Sequence, residues 1–258
     1  EPNTGSDVAS MKTHAVDKGD HFEVFGNKMW ISQAQFGDAG LLYAHTYRSA
    51  GNKGMTAFII EPKNWAGCTA RPIETKLGLH CSPTGEFVFE GMKVPKENVL
   101  GKVGDGFRIC MWQLNQTRLG CAAGALGVAG GALELAINYA NERTQFGKPI
   151  SKHQMVQAQI AEMVVEHQAA QMLVYRAAWL KDQGRPSQYE TSVAKLAASE
   201  AAVHAANECI KIFGSYGFST EFPAERFYRD AKSLQIVEGT SNVQKIIISG
   251  MALGFTPN

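Results

Sequence analysis

The sequence predicts an α+β protein in which a compact β domain, residues 1–103, is followed by a helical domain, residues 104–258. Two observations predict this order. In the first part, short segments such as HFEVFGNKMWIS and MTAFIIE place β-branched and aromatic residues between Gly, Asn, Pro and Asp, which is typical of strands joined by turns. From about Asp105 these breaking residues become rare, and long segments with the period of an α-helix follow.

Composition excludes several classes of protein. The 258 residues are 45% hydrophobic, which excludes a disordered chain, and their net charge is only +1. The 25 basic residues are scattered along the chain, so the sequence predicts no nucleic-acid partner. We find no uninterrupted apolar run of about eighteen residues, so no stable membrane insertion is expected.

Cysteine and histidine usage indicates neither a disulfide framework nor a metal site. No CxxC pair occurs, and we expect reduced, mostly buried thiols at Cys68, Cys81, Cys110, Cys121 and Cys209. His167 lies on a predicted apolar helix face without a second ligand at metal spacing, so we expect a core histidine and no metal. Reduced thiols favour a cytoplasmic location in a bacterium, or the mitochondrial matrix in a eukaryote.

The first predicted helix carries an arginine in an unusual place. At about 100° per residue, one face of this helix is formed by Phe107, Met111, Leu114, Arg118 and Cys121. Asn115 stands three residues before Arg118, so the two polar groups can converge on one ligand. The alternative is an arginine that snorkels to solvent or pairs with a helix carboxylate. The Ala- and Gly-rich residues 120–132 of the same helix predict close approach of neighbouring helices.

The second and third predicted helices carry recognisable end signals. Ser151, with Gln154 three residues later, forms a capping-box pattern at the start of the second helix. A third helix begins near Ser187 and ends before Gly214.

A carboxylate stands at the start of the last predicted helix. In the segment IVEGTSN, Thr240 or Ser241 is the expected N-cap, which puts Glu238 just outside the helix N-terminus. Taken alone, this acid has a simple explanation, because the helix macrodipole favours negative charge near a helix start.

Short segments spread over almost the whole chain carry a resemblance to a known family. In sequence order they are EPNTGSDVAS, KMWIS, LNQTRLG, ERTQFGKPISKHQ, KIFGSYGF, RFYRDAK and IVEGTSN. Together they resemble the acyl-CoA dehydrogenase family of flavoproteins. The resemblance implies an antiparallel β-sandwich or barrel-like domain followed by an up-down four-helix bundle. It also implies that the family's N-terminal helical domain lies outside this chain.

The resemblance implies an enzyme that uses FAD to dehydrogenate an acyl-CoA thioester between its α and β carbons. Glu238 would remove the α proton while a hydride leaves the β carbon for flavin N5. Burial against Ile236 and Val237 is expected to make Glu238 a stronger base. Gly239 would allow close backbone approach to the substrate, whose thioester oxygen would accept a hydrogen bond from the N–H of Glu238.

Further roles come from the same resemblance. The flavin would be contacted from the β domain by Trp30, Ile31 and Ser32. From the helical domain it would be contacted by Arg143, Phe146, Gln154, Lys211, Phe213, Gly214, Ser215, Thr240 and Asn242. The acyl-CoA would be contacted by Ser6, Asn115, Arg118 and Gly239. An arginine suits a pyrophosphate because its planar guanidinium donates two parallel hydrogen bonds.

The residue before the base bears on the substrate. Val237 stands where many family members carry tyrosine, including glutaryl-CoA dehydrogenases that also decarboxylate. The segments SPTGEFVFEGMKVPKENVLGK and GFSTEFPAERFYRDA resemble glutaryl-CoA dehydrogenases of the non-decarboxylating type. We therefore expect glutaryl-CoA or a similar short-chain acyl-CoA as substrate.

The family also implies partners and alternatives. An electron-transfer flavoprotein is the expected electron acceptor, and a homotetramer is the expected assembly. The alternatives are an acyl-CoA oxidase-like enzyme, or a DNA-associated or noncatalytic flavoprotein of the same fold.

Overall fold

The computed structural model describes residues 1–255 of the chain. Two compact units follow one another, Glu1–Leu114 and Asn115–Asn258, and the division between them falls inside the first long helix. Each unit contains its own cluster of buried apolar side chains. The predicted α+β class, with strands before helices, is confirmed. The domain bounds 1–103 and 104–258 stay a prediction.

The β unit is built on a seven-stranded sheet in the order β5-β6-β2-β1-β3-β4-β7. Its strands are β1 (His14–Asp17), β2 (His21–Ser32), β3 (Gly40–His45), β4 (Met55–Ile60), β5 (Cys68–Pro72), β6 (Thr84–Pro95) and β7 (Val99–Leu100). Neighbouring strands pair antiparallel except β1 and β3, which are parallel through the pair His14 and His45. The sheet is therefore mixed: the predicted antiparallel arrangement holds for every neighbouring pair except β1 and β3. After β2 the chain crosses β1, so β3 runs in the same direction as β1.

The first half of β2 alternates between buried and partly buried residues. Phe22 and Val24 are buried, and the Phe22 ring meets the Phe58 ring edge to face at 5.2 Å between centroids. The pairing of β2 with β6 then shifts register between Lys28 and Ile31, which is a β-bulge. The second half of β2 therefore departs from regular alternation at the segment that contains Trp30.

The helical unit has three long helices and two short ones. They are α1 (Gly106–Glu142), α2 (Gln154–Asp182), α3 (Gln188–Phe213), α4 (Ala224–Leu234) and α5 (Ser241–Ala252), with a small hairpin of β8 (Thr144–Gln145) and β9 (Lys148–Pro149) between α1 and α2. Alanines dominate the buried core of this unit. On α1 they are Ala122, Ala125, Ala129, Ala132, Ala136 and Ala140, and on α3 they are Ala194, Ala198, Ala201, Ala202, Ala205 and Ala206.

Close helix approach is confirmed at two glycines of α1. A Cβ on Gly130 would lie 3.0 Å from Nε2 of His167 on α2, and one on Gly131 would lie 2.9 Å from the Phe227 ring on α4. His167, which is half-buried, lies against the backbone of α1 here. Gly120 has open space around it, so the prediction does not extend to the start of the run.

The predicted capping box at Ser151 is wrong. Residues Ile150–Lys152 form a short 3₁₀ helix, and α2 begins at Gln154 with His153 as its N-cap. The extended backbone of His153, with φ of −98° and ψ of 129°, separates the two helices, so Ser151 cannot cap α2.

Two composition-based expectations need adjustment. Within the described residues α1 is long and apolar enough to cross a membrane by length and composition alone. The search for uninterrupted apolar runs did not identify this helix. Its alanines lie in the helical core, as in the central helix of a bundle. All five cysteines are free thiols; Cys110 and Cys209 are buried as expected, whereas Cys81 is exposed.

Candidate active site

Glu238 lies in the turn between α4 and α5, and the prediction that it stands just outside a helix N-terminus is confirmed. Its backbone is left-handed, with φ of 57°, which is uncommon for a residue with a Cβ. Its carboxylate Oε2 accepts a hydrogen bond of 2.7 Å from the Thr117 hydroxyl on α1. The acid therefore has a fixed partner on a different helix.

The two apolar residues before Glu238 do not enclose it. Ile236 and Val237 expose 58% and 44% of their surface, and Glu238 itself is half-buried. The backbone N–H groups of both residues donate to the Ser233 carbonyl, so they belong to a turn that continues from α4 at the surface of the unit. The expectation that they bury the carboxylate is wrong.

Three buried side chains hold the backbone carbonyls of Glu238 and Gly239. Arg118 Nε donates to the Glu238 carbonyl at 3.0 Å, and Lys195 Nζ donates to the Gly239 carbonyl at 2.9 Å. Gln244 Nε2 donates to both carbonyls, at 3.3 and 2.9 Å. We call Arg118, Lys195 and Gln244 the carbonyl clamp. Its members come from α1, α3 and α5, so three helices fix one turn.

The clamp concentrates positive charge in a desolvated place. Burial lowers the pKa of the Arg118 guanidinium, although the nearby Glu238 carboxylate opposes that shift. Burial also lowers the pKa of the Lys195 ammonium. The neighbouring Cys121 thiol has its pKa raised by burial, with the Lys195 charge acting in the opposite direction. Two cations therefore lie close to the single carboxylate of the turn.

The described hydrogen bonds of Arg118 go to other residues of this chain, and the substrate contact implied by the resemblance stays a prediction. Only 5% of its surface is exposed, and its Nη1 donates to Oδ1 of Asn115 at 3.0 Å while its Nε holds the turn. The predicted convergence of Arg118 and Asn115 is real, but the two groups converge on each other. The Asn115 carbonyl in turn accepts from Lys181 Nζ at 2.8 Å. The alternative of an arginine paired with a helix carboxylate is wrong, because the acceptors are the Glu238 carbonyl and the Asn115 side chain.

The N-terminus of α5 has the predicted cap. Thr240 is the N-cap, and its hydroxyl oxygen accepts from the N–H of Val243 at 3.2 Å. Gly239 has φ of 90°, a conformation that favours glycine, and Asn242 on the first turn of α5 is exposed. The IVEGTSN segment thus begins in the turn that follows α4 and ends in the capped first turn of α5.

Trp30 in the β unit combines strain with exposure. It sits at the bulge of β2 with a left-handed backbone, φ of 62°, and 63% of its surface is exposed. A bulky residue in this conformation is a genuine outlier, and bulges commonly re-aim a side chain near a functional site. The bulge presents the indole to solvent instead of burying it in the sheet.

A cavity of about 300 Å³ lies in the β unit beside the end of β2. Ile31 and Ser32 line it together with Tyr43, whose hydroxyl donates to the Gln113 amide oxygen. The three predicted flavin contacts of this unit thus divide: Trp30 is exposed at the bulge, while the next two residues border a cavity. Ser6, predicted to contact the substrate, is exposed in the turn near the start of the chain.

In the helical unit, two predicted flavin contacts lie at the β8–β9 hairpin. Phe146, at the tip of the hairpin, exposes 94% of its surface and has φ of 53°. Arg143, just before β8, places its guanidinium over the Tyr216 ring at 5.7 Å. This contact brings Arg143 next to the turn that contains the exposed Gly214 and Ser215.

The remaining predicted contacts of the helical unit have unequal surroundings. Gln154 is exposed at the start of α2. Lys211 Nζ is paired with Glu208 Oε1 at 2.7 Å. The Phe213 ring is buried and stacks on the Tyr139 ring at 3.9 Å between centroids, so its side chain belongs to the core and only its backbone remains for a ligand.

Sequence reasoning missed Thr117, Lys195 and Gln244. A signal existed for Lys195, because it stands among buried alanines on α3 much as Arg118 stands in an apolar stripe on α1. Gln244 gave no comparable signal, since a glutamine in the first turn of a helix is ordinary.

Comparisons with known proteins agree with this fold. A model of the acyl-CoA dehydrogenase middle domain matches residues 1–92, and a model of the acyl-CoA dehydrogenase C-terminal domain matches residues 104–253. A glutaryl-CoA dehydrogenase of Desulfococcus multivorans is 51% identical over 255 residues, which is 98% of this chain and 65% of the relative. The chain thus spans slightly less than two thirds of that relative.

Two solved structures are similar over nearly the whole chain. The complex of a glutaryl-coenzyme A dehydrogenase with glutaryl-CoA has a TM-score of 0.95 and 50% identity, covering 98% of this chain and 64% of that one. A chain in a structure of the electron-transferring flavoprotein of Acidaminococcus fermentans, described in connection with flavin-based electron bifurcation, has a TM-score of 0.96 and 44% identity, covering 98% and 67%.

Proposed function

From the chain's membership of the acyl-CoA dehydrogenase family, a family of FAD-dependent oxidoreductases, we propose that the complete protein dehydrogenates an acyl-CoA thioester with Glu238 as the base. One observation carries this proposal. A lone carboxylate stands in a left-handed turn at the mouth of α5, and the carbonyl clamp fixes that turn from three helices. A base that is held so firmly suits proton abstraction, which requires accurate placement.

The residues around Glu238 have separate roles in the proposed proton abstraction. The Thr117 hydroxyl donates to Oε2 and orients the carboxylate, which leaves Oε1 to receive the α proton. Arg118 and Lys195 hold the carbonyls of Glu238 and Gly239 and so keep the turn, and with it the carboxylate, in place. As the proton leaves, negative charge grows on the thioester oxygen, and the N–H of Glu238 is the donor implied for it.

Each unit, taken by itself, offers side chains that suit part of an FAD molecule. The exposed indole of Trp30 offers a flat apolar face for a ring system, while Arg143 and the exposed Phe146 offer a cation and a second aromatic ring. Ser32 and Thr240 add hydroxyl groups at a strand end and a helix N-terminus. When bound, FAD supplies the acceptor for the hydride that leaves the β carbon.

The proposed substrate is glutaryl-CoA or a similar short-chain acyl-CoA. The 51% identity to a glutaryl-CoA dehydrogenase supports this class. Val237 has no hydroxyl that can protonate or steer the dienolate formed by loss of carbon dioxide, so the proposed reaction stops at dehydrogenation. Incubation with a panel of acyl-CoAs tests both points, and crotonyl-CoA formed from glutaryl-CoA contradicts the non-decarboxylating assignment.

The decisive experiment replaces the base in the complete, FAD-loaded protein. Glu238→Gln is expected to retain FAD and to lower the rate of flavin reduction by acyl-CoA by about 10³-fold or more, because the amide cannot accept the α proton. The matched control is Glu200→Gln. Glu200 accepts hydrogen bonds from Gln235 and Ser241 beside the same turn, at 2.7 and 2.6 Å, but has no proposed chemical role. Substantial reduction by Glu238→Gln would assign the base elsewhere.

The electron acceptor separates a dehydrogenase from an oxidase of the same fold. We propose an electron-transfer flavoprotein as acceptor, a partner class supported by the similar chain in the Acidaminococcus fermentans structure. Rapid peroxide formation with acyl-CoA would favour the oxidase instead. We further propose a homotetramer in the cytoplasm of a bacterium or in the mitochondrial matrix of a eukaryote. Light scattering that finds a fully active monomer would contradict the assembly.

A further inference from the structure

Lys195 is an unusual member of the carbonyl clamp. Its side chain is fully buried on α3, where its helix neighbours Thr191, Ser192 and Ala198 carry no charge. A buried ammonium is normally paired with a carboxylate, because removing a charge from water is costly. Here its described hydrogen-bond acceptor is a neutral backbone carbonyl, that of Gly239. The Glu200 and Glu238 carboxylates favour the charged ammonium from nearby, but its described hydrogen bond goes to the turn that carries Glu238.

That turn needs an external constraint. Glu238 has a left-handed backbone although it carries a Cβ, and such a conformation persists only where the surroundings over-determine it. The clamp supplies a paired arrangement. The Glu238 carbonyl is held by Arg118 and Gln244, and the Gly239 carbonyl is held by Lys195 and Gln244. Each carbonyl therefore has one cationic donor of its own and shares one amide.

Holding the carbonyls also orients the opposite sides of the two peptide groups. Because a trans peptide is planar, its N–H points away from its C=O. With the carbonyls of Glu238 and Gly239 directed at the clamp, the N–H groups of Gly239 and Thr240 point the other way. The orientation of Glu238 and of these donors thus depends on where Lys195 holds the Gly239 carbonyl.

We propose that Lys195 is a positioning residue for the base: its ammonium fixes the Gly239 carbonyl and thereby keeps Glu238 in its left-handed, reactive orientation. The catalytic part of this inference rests on the proposed function of Glu238. The structural part, that Lys195 keeps the turn in place, stands on its own contacts.

The test uses the complete, FAD-loaded protein and Lys195→Met, which keeps an unbranched side chain of similar length but donates no hydrogen bond. Three quantities are measured: the rate of flavin reduction at saturating acyl-CoA, the primary isotope effect of α-deuterated acyl-CoA, and hydrogen exchange of the amides in residues 236–242. Exchange is also measured without FAD, so this readout does not depend on turnover.

Lys195→Met is expected to retain FAD and substrate affinity within about threefold while the reduction rate falls about 10²-fold, the loss typical of a displacement near 1 Å. The α-deuterium isotope effect should increase, because proton removal becomes more strongly rate-limiting. Amide exchange in residues 236–242 should accelerate about tenfold or more. Lys195→Arg, which keeps a cationic donor, should restore part of all three quantities.

Two controls separate positioning from general loss of stability. Thr191→Val changes a buried residue one turn earlier on α3, whose hydroxyl has no hydrogen-bond partner among residues 1–255. Met163→Ala removes a fully buried side chain from the helical core and lowers stability without touching the clamp. Both should leave the isotope effect and the exchange of residues 236–242 at wild-type values.

The outcomes distinguish this inference from the proposed function. If the wild-type protein reduces its flavin with none of the acyl-CoAs, the proposed function fails, and the exchange data alone decide whether Lys195 holds the turn. If the wild type is active and Lys195→Met matches it in rate, isotope effect and exchange, the inference is overturned. Should Lys195→Met fail to fold, Lys195→Gln is measured, with an intermediate effect expected and a wild-type result again overturning the inference.

Discussion

Trp30 in the β unit and Glu238 in the helical unit have nearly the same strained backbone, with φ of 62° and 57°, but it is maintained by different means. Around Trp30 the sheet maintains this backbone: Lys28 pairs with Phe87 and Ile31 with Gly85, so main-chain hydrogen bonds on both sides fix the bulge. Glu238 lies outside any sheet, and the three side chains of the carbonyl clamp maintain its backbone conformation. The first arrangement rests on main-chain hydrogen bonds, whereas the second rests on the side chains of the carbonyl clamp.

Two buried charged groups, one in each unit, also have different partners. In the β unit the Glu1 carboxylate meets Lys28 Nζ at 2.7 Å and accepts from the N–H groups of Lys12 and Thr13 at 2.6 and 3.1 Å. In the helical unit Lys195 meets a carbonyl. The Glu1 carboxylate and the Lys28 ammonium balance each other's charge, whereas Lys195 acts on a turn. The first contact stabilises the β unit, and the second orients a residue in the helical unit.

The largest effect is expected at Gly239, because a substitution there displaces a member of the carbonyl clamp. In Gly239→Ala a Cβ would lie 2.5 Å from Gln244 Nε2, at a backbone φ of 90° that is strained for alanine. Relief requires Gln244 to leave both carbonyls, so we expect a loss of about 3 kcal/mol in unfolding free energy and about 10²-fold in flavin reduction. Urea unfolding and stopped-flow flavin reduction measure the two losses.

The control for that substitution is Gly254→Ala. Gly254 has a similar φ of 82° and open space around its Cβ position, so it carries the backbone strain without the clash. A small loss of stability with normal flavin reduction is expected. If both alanine variants reduce the flavin equally fast, the clamp does not control the base.

An intermediate effect is expected for the buried charge of the β unit. Burial alone would raise the pKa of the Glu1 carboxyl, but the hydrogen bonds from Lys28, Lys12 and Thr13 bring it to about 2. A carboxyl whose pKa is lower in the folded state than in the unfolded state stabilises the fold above its ordinary pKa of 4.5, and this contribution disappears as the pH falls through about 2.

Glu1→Gln should therefore lower the unfolding free energy by about 2 kcal/mol at pH 7. The difference from wild type should narrow as the pH falls from 4.5 towards 2. Urea unfolding at pH 7 and pH 3 measures this. Asp17→Asn is the control, because Asp17 is exposed and its lowered pKa comes mainly from the Gly19 N–H; a similar loss there would show that burial of the pair is unimportant.

The smallest effect on the free energy of unfolding is expected at Trp30. Trp30→Ala and Trp30→Gly both remove the indole and differ only in how well they tolerate φ of 62°. Trp30→Gly should be more stable than Trp30→Ala by about 1 kcal/mol. At Asn27, an exposed position of β2 with ordinary strand backbone, the order should reverse, with Asn27→Ala the more stable. The same order at both positions would mean that the bulge relaxes without cost.

Sequence reasoning succeeded where the signal is local. The change of period near Asp105 gave the two kinds of structure, and the Thr240 cap placed Glu238 at the start of the last helix, because both depend on neighbouring residues. It failed at Ser151, where an extended His153 interrupts the cap. It failed again at Ile236 and Val237, since two apolar residues in sequence do not reveal that a turn leaves them at the surface.

The carbonyl clamp could not be predicted from the sequence, for a different reason. Lys195 and Gly239 are distant in sequence and come together only in the fold, and the residues around each give no sign of the contact. The left-handed backbone of Trp30 was equally hidden, because KMWIS has the composition of a regular strand and the bulge arises from pairing with β6. Arg118 was recognised as unusual from its apolar stripe, yet a pattern alone does not distinguish a ligand from a turn carbonyl as its acceptor.

The alanine core of the helical unit has a consequence for how this protein can change. Alanine has no side-chain torsion to adjust, so an added methyl group at Ala198 or Ala125 cannot be absorbed by rotamer changes and must push whole helices apart. Arg118 and Lys195 are carried on two of those helices. Substitutions deep in the bundle can therefore slow proton abstraction although they lie far from Glu238. Changes of substrate preference should accumulate on the exposed turns, while the interior stays nearly invariant.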